Sequence, residues 1–269
     1  MLRVLWKALV VSLIMTTSAT SYQDKTLPNP PTYICKRVLD EMTVDGSLNE
    51  KSWQKAEPMD LSLRDGSGKP LRKTVAKVIW DDEALYISFV CQDPEIWATL
   101  TERDDPLWTE EVVEVFLDPN GNGDPYFEIE VNPLNVVVDL RFVHSLKELR
   151  GRRALQWNCQ SLQTAVRVKG KVNSWQTASH PDNQWTVEMA IPFRALDELP
   201  HSPPREGDCW RANFYRIERP SSLADEDDEY SCWAPIIISR SYHTLERFGS
   251  LTFSAQKVGE SKKQKKNFF

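Results

Sequence analysis

Three glutamates and one tryptophan hold the densest chemistry in this chain. Glu114, Glu128 and Glu130 fall in the stretch DDPLWTEEVVEVFLDPNGNGDPYFEIEVN (residues 104–132), with Trp108 just ahead of them. Carboxylates can accept hydroxyl hydrogen bonds, ligate a metal, or work as an acid and a base, while an indole offers an apolar face for stacking. Glu114 stands between Val112 and Phe116 on a strand face that is otherwise apolar, where an unpaired carboxylate is expensive. Glu128 and Glu130 share a face with Tyr126 and Asn132, opposite Phe127, Ile129 and Val131, because strand side chains alternate. Trp108 follows Pro106 in a loop crowded with acids (Asp104, Asp105, Glu110, Glu111), so no apolar periodicity claims it for a core. Two readings stay open for it: a stacking platform, or a lid folded over the edge of the fold.

Paired with Glu128 or Glu130, Glu114 has the makings of a glycosidase acid and base, whose carboxyls sit roughly 5–9 Å apart. Alternating acids on a strand are more often a solvated face, and that is the expectation here. Asp118, Asn120, Asn122 and Asp124 alternate as oxygen ligands do in a calcium loop, with Gly123 at the turn. The twelfth position counted from Asp118 is Ile129 rather than Glu, so a plain Asn-Gly turn is favoured over a structural calcium site. There is no G-x-S-x-G, no phosphate-binding Walker loop and no H-E-x-x-H, and His144, His180, His201 and His243 lie far apart.

The elements that must position these residues read as strands. Residues 112–117 and 126–132 flank a turn-rich segment and predict a hairpin; residues 74–80 and 84–91 predict a second. Further strands are expected at 136–140, 162–168, 185–191, 211–218, 230–238 and 250–253, with short helical turns after residue 49 and over 193–199. Many short strands with almost no long helix indicate an all-β fold, an antiparallel β-sandwich of jelly-roll type with a few short helical turns.

The chain has 269 residues, 41% hydrophobic and 27% charged, which suits one globular domain rather than a disordered polymer. Arg3 and Lys7 precede an apolar run over 8–15 and small residues with cleavage expected after Ala19 or Ser21. This reads as a signal peptide over 1–21 and places the protein outside the cytoplasm, secreted or periplasmic; a retained anchor is the alternative. A Pro-rich linker (22–31), the sandwich (32–254) and a basic tail (255–269) follow. The net charge of −6, more negative without the tail lysines, argues against nucleic acid as a partner, and no later stretch is apolar enough to insert in a membrane. Five cysteines without C-x-x-C spacing are too few for a disulfide scaffold, and Cys91 reads as a buried hydrophobe, while Cys209 and Cys232, each followed by Trp, could pair.

Taken in order, Val44-Asp45-Gly46 with Trp53, then 76–81 (AKVIWD) with 85–87 (LYI), Trp108 with 114–118 (EVFLD), 126–132, 185–192 (WTVEMAIP) and 247–251 (RFGSL) resemble the family 9 carbohydrate-binding modules over nearly the whole mature chain. That resemblance implies a β-sandwich that binds sugars, in its best-known members by holding a reducing end between two aromatic rings, with calcium held structurally. By position the rings are Trp108 and Tyr242, and Glu114 matches an acid that hydrogen-bonds sugar hydroxyls. Glu130 stands where those members have a basic residue, and Tyr242 where they have Trp. The expectation is an exported protein that binds a mono-, oligo- or polysaccharide through Trp108, Glu114, Glu130 and Tyr242, in polysaccharide catabolism, without cleaving it. A glycoside-active enzyme or a hydrolase-associated subunit, and a scaffold without a working sugar site, are the alternatives.

Overall fold

The computed structural model describes residues 27–143, 156–173, 183–220 and 228–260. The expected signal peptide and the end of the basic tail lie outside these. The strands are β1 (Thr32–Arg37), β2 (Met59–Asp60), β3 (Ser62–Leu63), β4 (Thr74–Trp80), β5 (Ala84–Gln92), β6 (Val112–Asp118), β7 (Tyr126–Val131), β8 (Val137–Phe142), β9 (Gln163–Lys169), β10 (Gln184–Pro192), β11 (Cys209–Glu218), β12 (Glu229–Cys232) and β13 (Gly249–Lys257). One short helix, α1 (Lys51–Lys55), and 3-10 turns at Leu107–Thr109, Phe193–Ala195 and Leu245–Arg247 complete the described elements.

The strands form one continuous curled sheet in the order β8-β7-β6-β11-β13-β1-β4-β5-β10-β9, with β12 on β11. It folds over on itself as a sandwich. Inward residues of β6 and β7 (Val113, Val115, Phe127, Ile129) belong to the same core as those of β5 and β10 (Ile87, Phe89, Val187, Met189). Phe89 and Phe214 meet edge to face across it at 6.3 Å. Alternation assigns the opposite face of β6, β7, β8 and β11 to a separate surface, and that surface carries the site.

Both expected hairpins form, β4 with β5 and β6 with β7. Three differences have physical reasons. The sheet is not wholly antiparallel: β1 runs parallel to both β13 and β4 and joins the two halves. β12 ends at Cys232 instead of near residue 238, since Pro235 has no N–H to give a ladder. β13 continues to Lys257, three residues into the expected tail, because its partner β1 reaches that far. Cys209 and Cys232 do not pair: register sets Cys232 opposite Tyr215 and Cys209 opposite Thr252, and both thiols are free. Cys91 is fully buried, as its apolar strand suggested.

Candidate functional site

Glu114 is centred on β6 with Tyr215 of β11 on one side and Glu130 of β7 on the other. Glu128 lies one step along, opposite Phe116 and beside Leu140 of β8. The same alternation that sends Val113, Val115, Phe127 and Ile129 to the core sends all three acids to the outer face. That face is not open to water. Glu114 is 2% exposed, Glu128 5% and Glu130 0%, so the solvated-face expectation is wrong. The 3-10 turn Leu107–Thr109 packs on β7, and the segment holding Tyr242 and His243 packs against Phe116, Tyr126 and Tyr215. Neither cover has the periodicity that would betray it in the sequence.

Between these covers lies a cavity of about 360 Å³. Trp108, Tyr230, Tyr242 and Phe142 supply aromatic wall, Glu114 and Glu128 supply carboxyls, and Arg64, Arg219 and Arg240 stand around it. Trp108 is 43% exposed, so the indole is a presented surface and not a buried lid. Its turn is held from below by the Thr109 hydroxyl donating to the Pro106 carbonyl at 2.7 Å and the Glu110 N–H donating to the Leu107 carbonyl at 2.9 Å. Tyr242 is placed differently. Its ring stacks on Tyr215 with centroids 4.0 Å apart and planes 15° apart, leaving one face for the cavity. Trp108, Glu114 and Tyr242 are therefore brought to one cavity, whereas Glu130 is not on its wall. Glu128 takes that place, because the register sets Glu128 toward Tyr126 and His243 and sets Glu130 between Glu114 and Val138.

Electrostatically the acids are strained. Burial pushes the Glu114 carboxyl well above the usual carboxylate range, with the charge of Glu128 adding to it. Burial lifts Glu128 to about 7, and Glu130 is raised by burial and then by both neighbours. Written as carboxylates, Glu114 Oε1 and Glu128 Oε2 find no donor among the described residues, while Glu130 is approached by the Trp108 backbone and by the Glu128 carboxyl. Among the described residues the side chain within ion-pair reach is His243, charged only when protonated, its Nδ1 3.9 Å from Glu128 Oε2 and 3.0 Å from the Tyr126 hydroxyl.

The calcium-like loop does not fit calcium. Asp118 is spent on Arg211, whose Nε donates to it at 2.9 Å and whose terminal nitrogen lies at 2.7 Å, and on the Gly123 N–H at 3.1 Å. Asn122 Oδ1 accepts the Asp124 N–H at 2.8 Å. These are the bonds of a closed turn. A second carboxylate group, Asp93, Glu111 and Glu218, brings its oxygens within 4.8 Å of one another, and sequence reading passed over it because its members are scattered along the chain. A side chain of the protein already supplies its counter-charge: the Arg216 guanidinium, fully buried, donates to Asp93 at 2.8 Å, to Glu218, and to the Gln92 carbonyl at 2.8 Å.

In overall shape the chain is similar to a candidate carbohydrate-binding protein from Bacteroides uniformis ATCC 8492 (18% identity, TM-score 0.61, covering 84% of this chain and 100% of that one). It is also similar to a family 9 carbohydrate-binding module from Caldicellulosiruptor kristjanssonii, in complex with cellotriose (16%, TM-score 0.53, 83% and 95%) and with glucose (16%, TM-score 0.54, 86% and 98%). At such identities the likeness shows the fold. No curated protein sequence matches the chain. The model of the carbohydrate family 9 binding domain-like family matches residues 44–207, more than half of the sequence and the whole run from the first turn through β10. With the sandwich, its curled sheet and this match together, the chain belongs to the carbohydrate family 9 binding domain-like family.

Proposed function

We propose that the protein binds a saccharide in the cavity between Trp108 and Tyr242. The observation that supports this reading is the pairing of an exposed indole with buried oxygens of Glu114 and Glu128 that have no donor among the described residues. A pyranose supplies what each lacks: a CH face for the ring and hydroxyl hydrogens for Glu114 and Glu128. The relatives solved with glucose and cellotriose support a hexopyranose as the size of unit received. The protein acts outside the cytoplasm, exported by the leader over residues 1–21, and serves polysaccharide breakdown by holding sugar rather than cutting it. Glycosidase carboxyls flank the scissile bond from two sides, whereas the two carboxyls of this cavity, Glu114 and Glu128, stand on the same face of the β6–β7 pair, which favours holding over cutting. A glycan-array screen followed by calorimetric titration of the mature chain tests the reading. Binding that weakens about tenfold in Trp108→Ala, the worth of one stacked ring at about 1–2 kcal/mol, supports it; binding indifferent to that change defeats it.

A further inference from the structure

The acidic wall of the cavity has too little positive charge for the number of carboxyls it holds. Glu114 faces Glu130 directly across the β6–β7 pair, and Glu128 is next on the same face. Like charges directly opposite on neighbouring strands destabilise a sheet, and more so when water is excluded. Of the two side chains that line the cavity, Glu114 Oε1 and Glu128 Oε2 have no donor among the described residues. His243, at 3.9 Å from Glu128, is a partial answer at most, since its Nδ1 also meets the Tyr126 hydroxyl.

The arginines around the cavity do not relieve the acids. Arg219 is paired with Asp228 and donates to the Trp108 carbonyl at 3.4 Å. Arg64 lies over the Tyr230 ring at 4.5 Å and donates to the Arg240 carbonyl at 3.3 Å. What governs Glu114 and Glu128 is burial and the neighbouring carboxyls, and among the described residues no guanidinium is bonded to either. Nor are the three acids spaced for a metal ion: their oxygens do not draw within 4.8 Å of one another as those of Asp93, Glu111 and Glu218 do. A larger cation with several donors, delivered against an aromatic wall, suits the spacing better.

Resting on the saccharide reading above, we propose that the preferred ligand is an amino sugar, a hexopyranose unit bearing a free protonated amine. Its ammonium lies against Glu114 and Glu128, and its ring against Trp108. The ammonium gives charge-assisted hydrogen bonds to the Glu114 and Glu128 carboxyls, each of which has one oxygen without a partner among the described residues, and its charge favours ionisation of a cluster that burial holds partly protonated. Acetylating the amine removes both effects.

The test is calorimetric titration of the mature protein at about pH 6.5, where a primary amine is protonated, with D-glucosamine, N-acetylglucosamine, glucose and glucuronate. Glucosamine is expected to bind about tenfold or more tighter than glucose and N-acetylglucosamine, the discrimination a charged hydrogen bond provides. In Glu128→Gln that ratio is expected to fall toward one; Glu114→Gln is read in the same way should the first variant lose its cooperative melt. Glucose binding as well as glucosamine overturns the amine preference and leaves the saccharide reading standing. A glucosamine preference that survives both substitutions overturns it as well. Tighter binding of glucuronate overturns it and moves recognition to Arg64 and Arg240. If none of the sugars binds, both readings fall.

Discussion

The Tyr242 ring lies flat on Tyr215 at 4.0 Å, and the Tyr215 hydroxyl donates to the Tyr242 carbonyl at 2.9 Å. Of the two rings expected to grip the sugar, Tyr242 is thus packed onto the sheet, while Trp108 stands on a surface turn. The two truncations should therefore separate. Trp108→Ala is expected to weaken sugar binding about tenfold with the melting temperature little changed, because an exposed ring adds little to the core. Tyr242→Ala is expected to weaken binding and also to cost about 3 kcal/mol of stability, as for a packed aromatic. Equal losses of stability in chemical denaturation would contradict the assignment.

Stability should fall as pH rises through the acid range into neutrality. An ordinary glutamate titrates near 4.5, whereas Glu128 and Glu218 are held at about 7 by burial, and burial raises Glu111, Glu114 and Glu130 as well. Between 4.5 and about 7 the folded chain holds protons that the unfolded chain has released, so their contribution is complete below 4.5 and is lost as pH rises. Melting of Glu130→Gln against the parent isolates this contribution. The variant should gain at alkaline pH and gain least in acid; a gain independent of pH would show that packing and not charge is responsible.

Arg216 carries the charge at the Asp93, Glu111 and Glu218 cluster, and Arg211 carries it at Asp118. Calcium and a chelator should then leave the melting temperature of the parent in the same place. A rise with the logarithm of calcium concentration would reveal a site. Arg216→Met strands Asp93 and Glu218 in the interior and is expected to cost about 3–5 kcal/mol, the usual penalty for removing one partner of a buried pair.

Gly249 opens β13 beneath the Trp233 indole, and a methyl group there would strike that ring and approach the Pro31 carbonyl to 2.9 Å. Gly249→Ala should cost about 1–3 kcal/mol by overpacking. Pairing it with Trp233→Leu should recover part of the loss. No recovery in the double variant would place the fault in the backbone and not the ring.

The hairpin bearing the acids was legible because alternation and turn residues act locally, and β6 and β7 fall within a residue of where those signals put them. What was not legible depends on distant partners. The Glu114 environment is set by a 3-10 turn and by the Tyr242 segment, neither periodic. Asp118 looked like a ligand because Arg211, its partner, lies 93 residues away in sequence. Glu130 and Glu128 share a face, so alternation alone could not say which one reaches the cavity. Only the position of the covers along the strand decides it.

β1 occupies the middle of the sheet, laddered to β13 through Tyr33 and Leu251 and to β4 through Lys36 and Ile79. It is made early and its longer ladder is made with nearly the last strand synthesised. The two halves of the sandwich are thus clasped only once β13 has been made, and until then a nascent chain waits with the β13 edge of β1 unpaired. Contacts of such long range are slow to form and leave strand edges open to other chains meanwhile. A chain cut before Gly249 should stay protease-sensitive however intact its β6–β7 hairpin; resistance to digestion would mean that the clasp is dispensable.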